Sequence, residues 1–162
     1  MGHGRDGVAT GSVVSADGTG IGYRRLGQGP SVILLHGGVN ASQHMMKLGR
    51  ALADAFTVYL PDRRGRGMSG GFGPAYGIRR EDEDLAALVE HTETECVFGS
   101  ANGGLFALHG AIGLGQIRRV AAYEPLLLRG GPDDEAIRRT FTAMQQMIRG
   151  GRPGEGIMFS IH

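Results

Sequence analysis

Ala101 stands at the centre of Gly99-Ser100-Ala101-Asn102-Gly103-Gly104, where the surrounding pattern calls for a nucleophile. Val97 and Phe98 lead into this stretch as a strand, and the small residues at 99, 103 and 104 allow a sharp turn into a closely packed helix. A G-x-S-x-G turn of this shape lifts a nucleophile to the apex of a strained strand–helix elbow. Alanine has no hydroxyl and cannot attack a carbonyl. Ser100 sits one position early, and centring the motif on it would put Phe98 and Asn102 where small residues are required. The stretch therefore reads as an elbow whose nucleophile is absent. The simpler alternative is an ordinary glycine-rich turn.

A second group of residues suits the same chemistry. His36-Gly37-Gly38-Val39-Asn40 follows the apolar run 31–35 directly. A glycine pair at the end of a buried strand lets backbone N–H groups point into a cleft, as donors for a developing oxyanion must. Taken alone it is equally a plain turn with a core histidine. A third segment, 61–70, contains a literal G-x-G-x-x-G at Gly65, Gly67 and Gly70. A dinucleotide site would need a helix to open there. Gly71, Gly73 and Pro74 intervene, so that reading is rejected. Arg63, Arg64 and Arg66 beside these glycines could suggest an anion site, but are expected to lie in a solvated loop. His91 reads as a dipole partner at a helix end, His109 has no evident partner, and Cys96 reads as a small buried hydrophobe.

These groups need a scaffold, and the chain has enough length for one. Its 162 residues suffice for a single sizeable core. The 30 glycines have no G-x-y period and cluster at turns between apolar runs, as in a loop-rich α/β protein. A net charge of +1 gives no reason to expect nucleic acid or an anionic membrane as partner. One cysteine permits no internal disulfide, so a cytoplasmic location is the default expectation. No apolar run approaches the roughly 20 residues of a membrane span.

The periodicity predicts strands over 8–16 and 19–26, joined by a turn at Asp17-Gly18, and further strands at 31–35, 56–60, 96–98 and 117–123. Helices are predicted over 42–53, with Ser42 as its cap, over 78–92 and over 105–112. Glu81, Asp82, Glu83 and Asp84 lie near the start of the second helix, where its dipole favours negative charge. A last helix is expected over 134–149, with Ile137, Phe141, Met144 and Ile148 forming one stripe. Domain boundaries are placed at 1–131 for an α/β core and 132–162 for the start of a cap.

In this order the motifs resemble the α/β-hydrolase fold superfamily. The resemblance rests on His36-Gly37-Gly38, on Asp62-Arg63-Arg64-Gly65-Arg66-Gly67-Met68-Ser69, on Gly99 to Gly104, and on Tyr123-Glu124-Pro125. It covers about residues 10–130 and is similar to the cofactor-independent branch of esterases, C–C hydrolases and haloperoxidase-like enzymes. It implies a mostly parallel central sheet flanked by helices, with the start of a helical cap and without the family's seventh and eighth strands. It implies that Ala101 holds the nucleophile position. Gly38 and Asn102 would supply the oxyanion N–H donors, with Val39 the close alternative to Gly38. Glu124 would be the candidate acid, and His36 a support of the loop at the substrate site. With Val39, Met45 and Met144, His36 makes up the expected substrate-binding set. Neither metal nor organic cofactor is implied. The family's catalytic histidine has no counterpart among histidines 3, 36, 44, 91, 109 and 162.

The leading functional expectation is a hydrolase acting on an ester, thioester or activated C–C carbonyl bond of an apolar small molecule. Here it would be present in a nucleophile-lacking form. The alternatives are a non-hydrolytic member of the same fold, such as a lyase, an isomerase or a ligand binder, and a structural subunit. A homo-oligomer or a complementary C-terminal segment is the expected way of covering the sheet edge.

Overall fold

The computed structural model describes residues 7–73 and 75–127, and beyond them 135, 138–140, 142–143, 146–147 and 150–151. The chain divides into two compact units, Met1–Leu126 and Leu127–His162. In the second unit the described residues between 135 and 147 are helical, and Thr142 Oγ1 donates to the Arg138 carbonyl at 2.9 Å. The stripe residues expected there, Met144 among them, lie outside the described residues.

The first unit is a six-stranded sheet with three α-helices. Its strands are β1 (Ala9–Val14), β2 (Gly20–Leu26), β3 (Ser31–Leu35), β4 (Thr57–Pro61), β5 (Cys96–Ser100) and β6 (Arg119–Tyr123). Their spatial order is β1-β2-β4-β3-β5-β6. β1, β2 and β4 pair antiparallel in turn, with Val13 opposite Ile21 and Leu26 opposite Val58. β4, β3, β5 and β6 run parallel, so the loops after all four open at one end of the sheet.

The parallel strands are apolar on both faces because both faces are covered. On β3 the alternation is strict. Ile33 and Leu35 enter a core with Leu85, Leu88, Val89, Val97 and Phe106, contributed largely by α2 (Ile78–Thr92) and α3 (Asn102–Gly113). Val32 and Leu34 enter the other core with Leu26, Met45, Val58 and Leu60, beneath α1 (Met46–Leu52). Four of the five β6 residues are exposed, Val120 being the half-buried one.

Three expectations are corrected here. The segment 42–53 is not one helix: a 3₁₀ turn, Ser42–Met45, precedes α1, and the cap position falls on Ala41. Ser42 does not cap, because its Oγ accepts from Arg24 and its N–H is taken by Asp62 Oδ1 at 2.7 Å. Met45 is a core residue, 8% exposed, and does not line a substrate pocket. The third correction concerns the arginine loop. Arg63 and Arg64 are buried, because acids of α2 lie opposite them. Arg63 makes a two-point pair with Glu81, at 3.0 and 2.7 Å, and Arg64 does the same with Asp84, at 2.7 and 2.6 Å.

Candidate active site

The elbow is present. Residue 101 lies between β5 and α3 with φ 48° and ψ −118°, a left-handed conformation that an alanine adopts only under constraint. Its N–H donates to the Tyr123 carbonyl at 3.0 Å, and its carbonyl accepts from Leu105 at 3.1 Å and Leu126 at 3.3 Å. These bonds tie the turn to the end of β6. Glycine is required at 103 by close approach: a Cβ there would collide with the Leu35 carbonyl and lie 2.7 Å from that of His36. The first turn of α3 thus packs directly on the end of β3.

That packing brings the His36-Gly37-Gly38 loop against the elbow. A Cβ on Gly37 would lie 3.5 Å from the Ala101 Cβ, and one on Gly38 would lie 3.2 Å from Asn102 Oδ1. The N–H groups of Gly38, Val39 and Asn102 find no acceptor among the described residues. Asn102 opens α3, whose first N–H groups have no partner within the helix. These N–H groups are thus left available at the carboxyl ends of β3 and β5.

His36 serves the loop and has no ring nitrogen left for a ligand, which corrects its placement among substrate-binding residues. It is fully buried. The Arg63 N–H donates to its Nε2 at 3.0 Å, so that nitrogen carries no proton. Nδ1 is therefore the protonated nitrogen and donates to the Gly37 carbonyl at 2.8 Å. Burial drives its pKa down to about 4, with Arg63 adding to the fall, so the ring is neutral at pH 7.

Asp62 holds the next loop in place. Its carboxylate accepts from the Ser42 N–H, from the Met68 N–H at 3.0 Å and from Arg24 at 3.4 Å. Burial opposes its charge, but these donors outweigh burial and keep its pKa below the usual carboxylate range. Arg63 lies with its guanidinium 4.5 Å from the Phe106 ring centre, joining the β4 loop to α3.

The remaining expected site residues are placed as follows. Val39 is 49% exposed beside Gly38. Glu124 is exposed at the end of β6, with φ 47°, and its carboxylate meets no histidine among the described residues. The other described histidines are engaged elsewhere: His44 with Ala41, His91 with the Tyr23 hydroxyl at 2.9 Å, and His109 with Asp82 at 3.0 Å. Sequence reasoning missed Tyr123, whose carbonyl holds Ala101 and whose side chain is exposed, and Arg66, whose guanidinium bonds the Gly38 carbonyl. A surface cavity of about 400 Å³ lined by Arg25, Gly27, Gln28 and Asp54 lies at the opposite end of the parallel strands and is separate from this site.

Comparison with known proteins agrees with this architecture. A solved α/β hydrolase from Sphaerobacter thermophilus superposes with a TM-score of 0.81 at 34% identity, covering 93% of this chain and 59% of that one. The bottromycin epimerase BotH superposes at 0.69 with 28% identity, covering 83% and 56%. A pimeloyl-[acyl-carrier protein] methyl ester esterase of Stenotrophomonas maltophilia is 34% identical over 113 residues, which is 64% of this chain and 40% of the esterase. The chain thus spans less than half the length of that relative. No described helix is long and apolar enough to cross a membrane. The profile of the Alpha/beta hydrolase family matches residues 32–159, well over half of the sequence, and the chain belongs to that family.

Proposed function

We propose that this chain carries the nucleophile end of an esterase-type serine hydrolase in a form without its nucleophile. The observation that carries the reading is the backbone of Ala101. A non-glycine residue is held at φ 48° at the strand–helix junction, beside free N–H groups of Gly38 and Asn102. In a complete site a serine at 101 attacks an ester carbonyl, and the Asn102 N–H holds the oxyanion together with that of Gly38 or, next to it, Val39. A histidine takes the serine proton and an acid orients it. Glu124 is the acid candidate by its position after β6. The relatives named as methyl ester esterases support an ester substrate, and exposed Val39 and Tyr123 suit an apolar one. With alanine at 101 the chain holds such a compound without turnover.

The test is the Ala101→Ser variant treated with a fluorophosphonate in buffer containing imidazole, which stands in for the general base. The expected result is a single adduct on residue 101 by peptide mass spectrometry, and none on the unsubstituted chain. A folded variant that stays unlabelled contradicts the reading. A non-hydrolytic role is the second reading. It is favoured by Ala101 itself and by the likeness to a protein named as an epimerase. It expects the unsubstituted chain to bind a small apolar carbonyl compound, with no labelling gained from Ala101→Ser.

A further inference from the structure

Two donors of one side chain converge on the Gly38 carbonyl. Arg66 Nε lies 3.2 Å from that oxygen, and Nη2 also donates to it. Nη1 donates to the Gly65 carbonyl at 3.3 Å, and the guanidinium sits 5.1 Å from the Phe72 ring centre. Arg66 is half-buried, yet among the described residues it pairs with no carboxylate. Its neighbours Arg63 and Arg64 each hold an acid of α2. A guanidinium partly removed from water and given carbonyls in place of a carboxylate is poorly compensated for its lost hydration. Burial accordingly holds its pKa below the usual arginine range.

The consequence is geometric. A trans peptide points its N–H opposite its C=O, and the chain has no cis peptide among the described residues. Fixing the Gly37 carbonyl, as His36 Nδ1 does, therefore fixes the Gly38 N–H. Fixing the Gly38 carbonyl, as Arg66 does, fixes the Val39 N–H. Both peptides involve glycine, so neither is held by its own side-chain sterics. A rotated 38–39 peptide would present a carbonyl where the Val39 N–H now stands.

We propose that Arg66 is a positioning residue for the donor loop, clamping the Gly38–Val39 peptide in the one orientation that presents an N–H beside residue 101. This rests on the reading of that site given above, with Val39 taken as the loop's donor. The loop then has two clamps, its own His36 for the first peptide and Arg66 of the β4 loop for the second.

The test uses the full chain carrying Ala101→Cys. The thiol introduced at position 101 gives its proton to solvent, and the thiolate attacks p-nitrophenyl acetate. A C–S bond forms, the ester C–O bond breaks and p-nitrophenolate leaves. That step builds an oxyanion. Alkylation by iodoacetamide, where C–S forms and C–I breaks, builds none. Peptide mass spectrometry separates the introduced thiol from that of Cys96. The ratio of acylation to alkylation rates therefore reports the donors alone. Adding Arg66→Met is expected to lower the ratio about tenfold, since losing a single oxyanion donor outright costs roughly 10²–10³. Alkylation should be unchanged, and millimolar guanidinium should restore part of the loss. Arg66→Lys, which keeps charge but loses the two-point contact, should fall between and serves if the Met variant does not fold. A ratio unchanged in the folded variants overturns the proposal. If the thiol at 101 shows no acylation advantage over a small thiol, the hydrolase reading fails. Arg66 is then judged on the Val39 amide NMR signal of the Ala101 chain. A shift and faster exchange in Arg66→Met support the clamp, and an unchanged signal overturns it.

Discussion

His36 illustrates how a single residue in this site is decided by its partners. As a histidine beside a glycine pair it could face a substrate or the core. The Arg63 N–H on Nε2 and the Gly37 carbonyl on Nδ1 settle its tautomer and leave it no free nitrogen. A protonated ring would set two N–H groups against each other at Nε2. Its folded value of about 4 lies below the unfolded 6.5, so between those values the native state binds fewer protons than the unfolded state. Stability must fall as pH drops through that window, and His36 adds no further slope below pH 4 or above 6.5. The stability difference between the native sequence and His36→Gln, read by urea unfolding, should shrink by about 3 kcal/mol from about pH 7 to about pH 4. A difference that stays constant across that range contradicts the assignment. The elbow was legible at this scale because Gly99, Ala101 and Gly103 have fixed spacing after an apolar strand. Met45 was not, since an apolar side chain next to a candidate site has the same letter whether it faces a cleft or a core.

The elements are joined by charges that composition alone hides. Glu81 and Asp84 lie in the first two turns of α2, where a helix dipole already explains an acid. Their larger role is to receive Arg63 and Arg64 from the β4 loop, 18 and 20 residues earlier. Arg64 also reaches Asp17 at 2.9 Å, so one buried guanidinium ties the β1–β2 hairpin, the β4 loop and α2 together. A run of arginines among glycines looks solvated until the acids that bury it are located, and sequence spacing does not locate them. Arg64→Met leaves Asp84 buried and unpaired, and should cost about 3–5 kcal/mol by chemical denaturation. Adding Asp84→Leu should recover part of that loss, because removing both charges is less costly than orphaning one. A double variant no more stable than the single one contradicts the pairing. The strands, by contrast, were largely readable, since the alternation on β3 divides Val32 and Leu34 from Ile33 and Leu35.

The whole first unit places four loops at the carboxyl ends of parallel strands, the usual place for a ligand in an open α/β sheet. After β3 comes the His36-Gly37-Gly38 loop, after β4 the arginine loop whose Arg66 bonds it, after β5 the strand–helix elbow, and after β6 Glu124. All four loops are linked by direct contact, the one after β6 through the Leu126 N–H on the Ala101 carbonyl at 3.3 Å. The Arg63 N–H meets His36, Arg66 meets the Gly38 carbonyl, and Gly103 packs on Leu35. The assembly therefore stands or falls together, and its central claim is that residue 101 occupies a nucleophile position with oxyanion donors already in place. The most direct measurement is the acylation of Ala101→Cys by p-nitrophenyl acetate, normalised to its alkylation by iodoacetamide and compared with a small thiol. The expected normalised acylation rate is about 100-fold or more above that of the small thiol, the order contributed by one fixed oxyanion donor. A folded variant whose thiol at 101 acylates no faster than the small thiol would show that the donors do not face residue 101, and would contradict it.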